Sequence, residues 1–229
     1  MKICGIQKTS LVDYPGHMAT VIFTGGCNFN CPYCHNSQLI PMGVEPIVTT
    51  GDALKMLEGR KHLIDAVVIS GGEPTLQPDL HAFISKVKAM GFKVKFDTNG
   101  SNPDVLKKLI EDGLLDYVAM DVKDAKDWYG MYIGPELSHL IHEIDVSIAY
   151  LKQAGIPYEF RTTVVRELHI AEDIEAIGGW IKGADKYYIQ NFRATDCTPP
   201  EYHPFNETEL RGFANLVRKY VNEVHIRGI

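Results

Sequence analysis

The sequence predicts an α/β fold built from parallel strands with helices between them. Apolar, strand-like runs alternate with helix-like patterns over most of the 229 residues. No internal repeat, low-complexity segment or long Pro/Gly/Ser linker interrupts this alternation. Strands that alternate with helices are typical of βα units in a parallel sheet. A chain of this length can bury a substantial core, so we predict a single domain over residues 1–229.

Six apolar runs have the length and composition of buried strands. They centre on residues 21–23, 67–69, 94–96, 118–120, 162–164 and 187–189. Apolar residues at a three-and-four spacing predict four helices between these strands and a closing helix after them. The helical positions are Leu80, Phe83, Ile84 and Val87; Val105, Leu106, Leu109 and Ile110; Ile144, Ile148 and Leu151; Ile174, Ile177 and Ile181; and Leu210, Phe213, Val217 and Val221.

The composition excludes several classes of protein. Hydrophobic residues make up 45% of the chain and charged residues 23%, which are ordinary values for a soluble globular protein. No apolar stretch approaches the length of a membrane span, and the first ten residues lack the apolar core of a secretory signal. We therefore expect a cytoplasmic protein with reduced thiols. The net charge is −6 and no basic run is interleaved with aromatics, so a nucleic-acid or membrane partner is unsupported.

Three cysteines within eight residues, Cys27, Cys31 and Cys34, follow the first predicted strand. A cubane cluster of four irons is ordinarily held by four cysteines, so three thiolates leave one iron open to another ligand. The alternative is a zinc knot, but a zinc site needs four ligands in paired spacings. Only Cys4 and Cys197 remain, both distant in sequence, and we predict that they are spare buried thiols. The spacing therefore favours an iron–sulfur cluster.

Polar residues mark the ends of the other predicted strands, where the loops of parallel α/β folds converge. They are Gly71, Gly72 and Glu73; Asp97, Thr98, Asn99 and Gly100; Asp121 and Lys123; and Gln190, Asn191 and Arg193. Arg161 differs from these, because we predict that it opens the fifth strand. These groups are candidates for ligand binding, but each has a simpler structural alternative. The alternatives are a strand-to-helix turn for the glycines, an Asx turn for the Asn99 segment, a solvated amine for Lys123 and a surface ion pair for either arginine. Tyr33 lies between two of the cysteines. It is a further candidate for ligand binding, and the simpler alternative is that its ring packs within the loop.

The C-x3-C-x2-C spacing, followed by His35 and Asn36, resembles that of the radical S-adenosylmethionine (SAM) enzymes. This resemblance implies a 4Fe–4S cluster on Cys27, Cys31 and Cys34, with SAM chelating the fourth iron. One electron then cleaves SAM reductively and yields a 5'-deoxyadenosyl radical. Six βα units are too few for a closed eight-stranded barrel, but they match the partial (βα)6 TIM-like barrel of this family.

The same resemblance implies contacts to SAM. The motif formed by Gly71, Gly72 and Glu73 would receive the methionine ammonium, and Tyr33 would lie beside the adenine. Further contacts are implied for Thr98, Asn99, Asp121, Lys123 and Arg161. Arg193 occupies a position where some activating enzymes of this family have a histidine.

Five segments between Ser10 and Lys123 resemble the activating proteins of glycyl radical enzymes, most closely those of anaerobic ribonucleoside-triphosphate reductase. The segments are SLVDYPG, VIFTGGCNFNCPYCHN, VISGGEPTLQ, DTNGSNP and YVAMDVK. The resemblance implies an activase that generates a glycyl radical on the reductase, with electrons from a flavodoxin-like donor. Three alternatives stay open: an activase of another glycyl radical enzyme of the formate lyase type, a radical SAM enzyme acting on a small molecule, and a metal-binding interaction module.

Overall fold

The computed structural model describes residues 1–134 and 136–229 in full, together with the backbone of Pro135. Within this described part, the chain forms eight β-strands and seven α-helices. All six predicted strands are present. The sequence-based count of six was nevertheless wrong for the whole fold, because one further strand precedes the six and one follows them.

The chain divides into two units, of which the first comprises residues 1–28, 38–98 and 102–118. Strand β1 is antiparallel to β2, whereas β2, β3 and β4 are parallel and adjacent in that order. The register pairs Val21 with Val68 and Ile69 with Phe96. The elements are β1 Ile3–Ser10, β2 Ala19–Thr24, α1 Thr50–Glu58, β3 Ala66–Gly71, α2 Leu80–Ala89, β4 Lys93–Thr98 and α3 Pro103–Glu111.

The core of the first unit lies on the apolar strands β2 and β3. Residues Ala19, Val21, Ala66 and Val68 form one buried cluster with two tyrosines. Every apolar residue that predicted α2 is buried, from Leu80 through Val87, which confirms the helical periodicity. Helix α3 begins with Pro103 in its first turn, where the missing N–H of proline is not needed for helical bonding.

The second unit comprises residues 29–37, 99–101 and 119–229. Strands β6, β7 and β8 are parallel and adjacent in that order. Their register pairs Thr162 with Ile189 and Tyr188 with His225. The elements are β5 Tyr117–Asp121, which enters this unit at Ala119, α4 Gly130–Ile133, α5 Leu140–Leu151, β6 Tyr158–Val164, α6 Ala171–Trp180, β7 Lys186–Asn191, α7 Glu207–Val217 and β8 Glu223–Arg227.

The ends of two predicted helices differ from the structure. Helix α6 ends at Trp180, so Ile181 is its C-cap, and α7 ends at Val217, so Val221 lies outside it. Both residues are buried even though they are not helical, which explains why they extended the apolar pattern. Within the described residues, none of the helices has the length and apolar character to cross a lipid bilayer.

Candidate active site and cofactor centre

The glycines of the predicted Gly-Gly-Glu motif allow β3 to end close against the end of β2. A Cβ atom on Gly72 would lie 2.1 Å from the carbonyl oxygen of Gly26, and one on Gly71 would lie 2.2 Å from the nitrogen of Thr24. The backbones are joined by hydrogen bonds from Gly72 N–H to Thr24 (2.8 Å) and from Glu73 N–H to Gly26 (2.8 Å). The strand-to-helix turn is therefore the structural role of both glycines, and it brings Glu73 to the loop that follows β2 and carries Cys27.

Glu73 is fully buried, and its carboxylate joins the ends of β3 and β4. Its Oε1 atom accepts hydrogen bonds from the Thr75 N–H (3.0 Å), the Thr75 hydroxyl (2.6 Å) and the Thr98 hydroxyl (2.9 Å). The structure thus brings together two of the predicted SAM-binding residues, Glu73 and Thr98. Because several donors orient one oxygen, the carboxylate is held in a fixed direction.

Cys27 and Asp97 both have contacts within the first unit. The N–H of Cys27 donates to the carbonyl of Ile40 (3.0 Å), which fixes the loop backbone at this cysteine. Asp97 pairs with the buried ammonium of Lys95, two residues earlier on the same strand. Residues two apart on a strand share a face, so this ion pair follows directly from the sequence spacing.

In the second unit, Asn99 adopts the Asx turn that was the simpler alternative for this segment. Its Oδ1 accepts a hydrogen bond from the N–H of Ser101 (2.9 Å). Gly100 follows with φ +77°, a left-handed conformation that glycine adopts readily. The carbonyl of Gly100 accepts a hydrogen bond from the hydroxyl of Ser147 on α5 (2.7 Å). The local hydrogen bonds therefore give the Asn-Gly pair a structural role in this turn.

Asp121, Lys123 and Arg161 form one charged cluster. Lys123 Nζ lies 2.8 Å from Asp121 Oδ2, and Arg161 Nε pairs with Asp121 Oδ1. Strand β6 begins at Tyr158, so Arg161 is its fourth residue and does not open the strand as the sequence predicted. The Lys123 side chain is only 17% exposed. The alternative that Lys123 is a solvated surface amine is therefore wrong.

Burial and charge act in opposite directions on the pKa values of this cluster. Burial disfavours the charge on Asp121, but Arg161 and Lys123 outweigh it and hold the pKa of the carboxyl well below its usual range. Burial likewise opposes the charge on Lys123, but Asp121 raises the pKa of this ammonium above its ordinary value. One carboxylate, that of Asp121, thus pairs with both cations.

Cys31 and Cys34 lie on one turn, where the N–H of Cys34 donates to the carbonyl of Cys31 (3.1 Å). Burial raises the pKa of the Cys31 thiol to about 11, although the nearby Lys123 ammonium lowers it. Tyr33, between them, is 3% exposed. Its hydroxyl is buried and has no hydrogen-bond partner among the described residues. A polar group of this kind is costly in an apolar interior, and a ligand that supplied a hydrogen bond would relieve the cost.

Arg193 and Cys197 lie on the surface segment that follows β7. The carbonyl of Arg193, at 2.7 Å from His35 Nε2, contacts the segment after Cys34. The carbonyl of Cys197 accepts a hydrogen bond from the Ser37 hydroxyl (3.3 Å). Cys197 is exposed and Cys4 is partly exposed. The prediction that both are buried thiols is therefore wrong, because each lies on a surface segment.

The three thiols of Cys27, Cys31 and Cys34 have the chemistry of iron–sulfur cluster ligands. No three His, Cys, Asp or Glu side chains converge on one ion position among the described residues. In a cubane cluster, however, each cysteine binds a different iron, so the ligands need not converge. The half-buried Cys31 would lose its thiol proton on binding a metal, as cysteine ligands do. The chemistry of the three cysteines thus suits the predicted cluster.

The radical SAM superfamily matches residues 21–181, well over half of the chain. The chain therefore belongs to the radical SAM superfamily, and it is an enzyme of that class. This finding excludes the alternative of a purely structural metal-binding module. Radical SAM enzymes use a 4Fe–4S cluster and SAM, so both predicted cofactors are confirmed.

A Methanocaldococcus jannaschii protein named as a glycyl-radical enzyme activating enzyme is 39% identical, with 99% of this chain and 96% of that protein covered. A pyruvate formate-lyase-activating enzyme of Clostridium pasteurianum is 34% identical over 55% of this chain and 54% of that enzyme. The relatives thus belong to the activating enzymes of glycyl radical enzymes.

The fold is similar to that of SuiB from Streptococcus suis bound to S-adenosylmethionine. The TM-score is 0.66 at 14% identity, and the match covers 89% of this chain and 48% of that one. The chain spans about half the length of that structure. This likeness and the superfamily match confirm the predicted fold class, the α/β partial (βα)6 barrel of radical SAM enzymes.

Three residues near the cysteines were missed by the sequence analysis. Tyr129, Tyr132 and His169 are buried in the second unit and contact Phe29 or Tyr33 through their rings. The spacing of three between Tyr129 and Tyr132 is the one signal that could have indicated a shared helical face. Nothing in the sequence around His169 indicates its position.

Proposed function

We propose that this enzyme generates a glycyl radical on a partner enzyme, and that the partner is an anaerobic ribonucleoside-triphosphate reductase. The observation that carries the proposal is the 39% identity, over almost the whole of both chains, to a protein named as a glycyl-radical enzyme activating enzyme. The choice of the reductase rests on the motifs between Ser10 and Lys123. In this proposal, residues 1–229 act as one radical SAM domain.

Cys27, Cys31 and Cys34 would hold the cluster, and a flavodoxin-like protein would supply its electron. When bound, the cluster and SAM supply the one-electron chemistry that removes a hydrogen atom from a glycine Cα. The protein must then exclude water and hold the reacting groups in contact, because proximity provides much of the rate. The burial of Tyr33 is consistent with a site that is closed to water.

The residues of the first unit would bind the amino-acid part of SAM. Glu73 is oriented by Thr75 and Thr98, and a buried carboxylate favours a cationic partner such as an ammonium group. Gly71 and Gly72 would contribute backbone carbonyl groups from the same turn. The hydroxyl of Thr98 would act by holding Glu73 in this orientation.

The second unit would bind the remaining groups of SAM. The cations Lys123 and Arg161 are of a type that suits a carboxylate, to which an arginine can present two parallel donors. Asn99 would contact the ribose, and the ring of Tyr33 would contact the adenine. Arg193 is exposed, and it would serve at the edge of the site, where its guanidinium could meet an incoming chain.

A second candidate partner is a glycyl radical enzyme of the formate lyase type. It is favoured by the 34% identity to the pyruvate formate-lyase-activating enzyme of Clostridium pasteurianum, although that match covers only about half of each chain. The two candidates require the same cofactors and differ in the protein that presents the glycine.

The test incubates the anaerobically reconstituted enzyme with SAM, a reductant and one candidate partner at a time. Electron paramagnetic resonance then measures the glycyl radical on the reductase, on a formate lyase, and in a mixture without either. We expect a signal with the reductase that depends on SAM. A signal with the formate lyase alone would transfer the proposal to the second candidate.

Two cysteine variants provide the matched control. In Cys31→Ser, we expect no glycyl radical signal. We also expect the reconstituted variant to lose its iron and sulfide. Cys197→Ser removes an exposed thiol. This variant should keep the radical signal and the iron and sulfide content of the unmodified protein. A radical signal that persists in Cys31→Ser, or that forms without SAM, would contradict the proposed activity.

A further inference from the structure

We propose that Tyr129 and Tyr132 are positioning residues that hold the turn of Cys31 and Cys34 in place against the segment of Lys123. The inference rests on the proposed function only in taking Cys31 and Cys34 as cluster ligands. It concerns the second unit alone, to which all of these residues belong.

Three residues around the cysteines contact the two tyrosines. The N–H of Asn30 donates to the carbonyl of Tyr132 (2.8 Å). The ring of Tyr33 packs edge-on against that of Tyr132, with centroids 6.0 Å apart. The ring of Phe29 also packs edge-on against that of Tyr129, with centroids 6.2 Å apart. Residues 29–34, which contain two of the three cysteines, are thus held by one backbone hydrogen bond and two aromatic contacts.

The hydroxyl groups of the same tyrosines reach the segment that follows β5. Tyr129 Oη accepts a hydrogen bond from the N–H of Lys123 (2.9 Å), and Tyr132 Oη donates to Asp124 Oδ2 (2.9 Å). Both tyrosines are fully buried, and their centroids are 5.9 Å apart. Each tyrosine therefore contacts residues 29–34 at one end and residues 123–124 at the other.

His169 supports this arrangement from the loop between β6 and α6. Its Nδ1 accepts a hydrogen bond from the N–H of Val165 (3.1 Å), so the proton is on Nε2, which donates to the carbonyl of Lys123 (3.0 Å). Its ring lies 6.1 Å from that of Tyr33. The N–H and the carbonyl of Lys123 are thus both held, which fixes the backbone from which the charged side chain extends.

Helix α4 has only four residues, too few to be stable by itself, so its position depends on these contacts. A ligand shell whose supporting residues are loose by about 1 Å loses much of its activity. If the contacts of Tyr129 and Tyr132 are weakened, the cysteine turn and Lys123 should move independently. The affinity for SAM should then fall, while the stability of the fold changes less.

Three Tyr→Phe variants of the whole chain test the proposal, and one of them is a matched control. Tyr129→Phe and Tyr132→Phe keep the rings but remove the hydroxyl groups. Tyr158→Phe is the control, because Tyr158 is also buried and its Oη also accepts a backbone N–H, that of Asp185 (3.1 Å), but it does not contact residues 29–34. Hydrogen exchange over residues 28–36, thermal unfolding and the kinetics of SAM cleavage without a partner are measured for each.

We expect similar melting temperatures for Tyr129→Phe and the control, because each loses one neutral hydrogen bond. The melting temperature of Tyr132→Phe should be lower, because its hydroxyl donates to the carboxylate of Asp124. Exchange over residues 28–36 should be roughly fivefold faster in Tyr129→Phe and Tyr132→Phe than in the control. KM for SAM should rise roughly fivefold in the same two variants, with little change in kcat. Equal exchange and equal KM in all three would overturn the inference. None of these measurements uses a glycyl radical enzyme, so a failure of the proposed partner would not affect them.

Discussion

The Thr98 hydroxyl is the link between β4 and the buried carboxylate of Glu73. Thr98→Val removes this donor with little change in volume, and Glu73 then loses one charge-assisted hydrogen bond. Such bonds contribute about 1.5–3 kcal/mol, so we expect a loss of this size in the free energy of unfolding, measured with urea. We also expect weaker SAM binding, because the carboxylate loses part of its orientation.

The control for this change is Thr20→Val in the same unit. Thr20 is equally buried, but its hydroxyl donates to the neutral carbonyl of Lys8 (2.7 Å). A neutral hydrogen bond contributes only about 0.5–1.5 kcal/mol. If the control were as destabilised as Thr98→Val, the charge of Glu73 would not explain the effect.

Gly72 makes a close backbone contact that an added side chain would break. In Gly72→Ala, the new Cβ would lie 2.1 Å from the carbonyl oxygen of Gly26, and a backbone atom cannot turn aside. We expect a loss of about 2–4 kcal/mol in unfolding free energy, as for other overpacked sites. Gly43→Ala is the control, because Gly43 has open space around it and should change stability by less than about 1 kcal/mol. Equal stability of the two variants would show that the turn adjusts freely.

The site residues that sequence could predict are those with characteristic spacing. Cys31 and Cys34 are defined by their motif, and Asp121 and Lys123 by lying two apart at a strand end. Tyr129 and Tyr132 could not be predicted as supports of the cysteine turn, because their role depends on contacts with residues about a hundred positions earlier. Local patterns carry no information about such contacts.

At the scale of elements, the buried strands were predictable because they are continuous apolar runs, such as 67–69 in β3. The first and last strands were not. Strand β1 has three exposed residues in succession, and β8 is at best half-buried. Edge strands of this kind lack the apolar signal, since they have a neighbour on one side only. Their positions are determined by pairing with β2 and β7.

Strand β8 is attached to its unit by a partly buried ion pair. Arg227 donates to both carboxylate oxygens of the fully buried Glu159, at 2.7 and 2.9 Å, and stacks on the ring of Tyr188. Arg227→Met keeps most of the side-chain volume but leaves the carboxylate without this partner. We expect a loss of about 3 kcal/mol in unfolding free energy, because the buried carboxylate loses two charge-assisted hydrogen bonds.

Arg211→Met is the matched control for this prediction. Arg211 pairs with Glu207 one helical turn away, and both side chains are exposed. Exposed pairs of this type contribute about 0.3–0.5 kcal/mol, so the variant should unfold almost as the unmodified protein does. A loss of comparable size in both arginine variants would show that burial of Glu159 is not the cause.

At the scale of the whole molecule, cofactor binding should be visible in thermal unfolding. A ligand that binds only the folded chain at a hundred times its Kd stabilises it by about 2.7 kcal/mol. For a chain of this size, about 1 kcal/mol corresponds to about 2–4 °C. We therefore expect SAM to raise the Tm of the cluster-loaded protein by about 5–10 °C in oxygen-free calorimetry. Protein loaded with Zn²⁺ is the control, because it offers no open iron to SAM. An equal rise in the zinc-loaded protein would show that SAM binding does not need the cluster, contrary to the roles proposed for Cys27, Cys31 and Cys34.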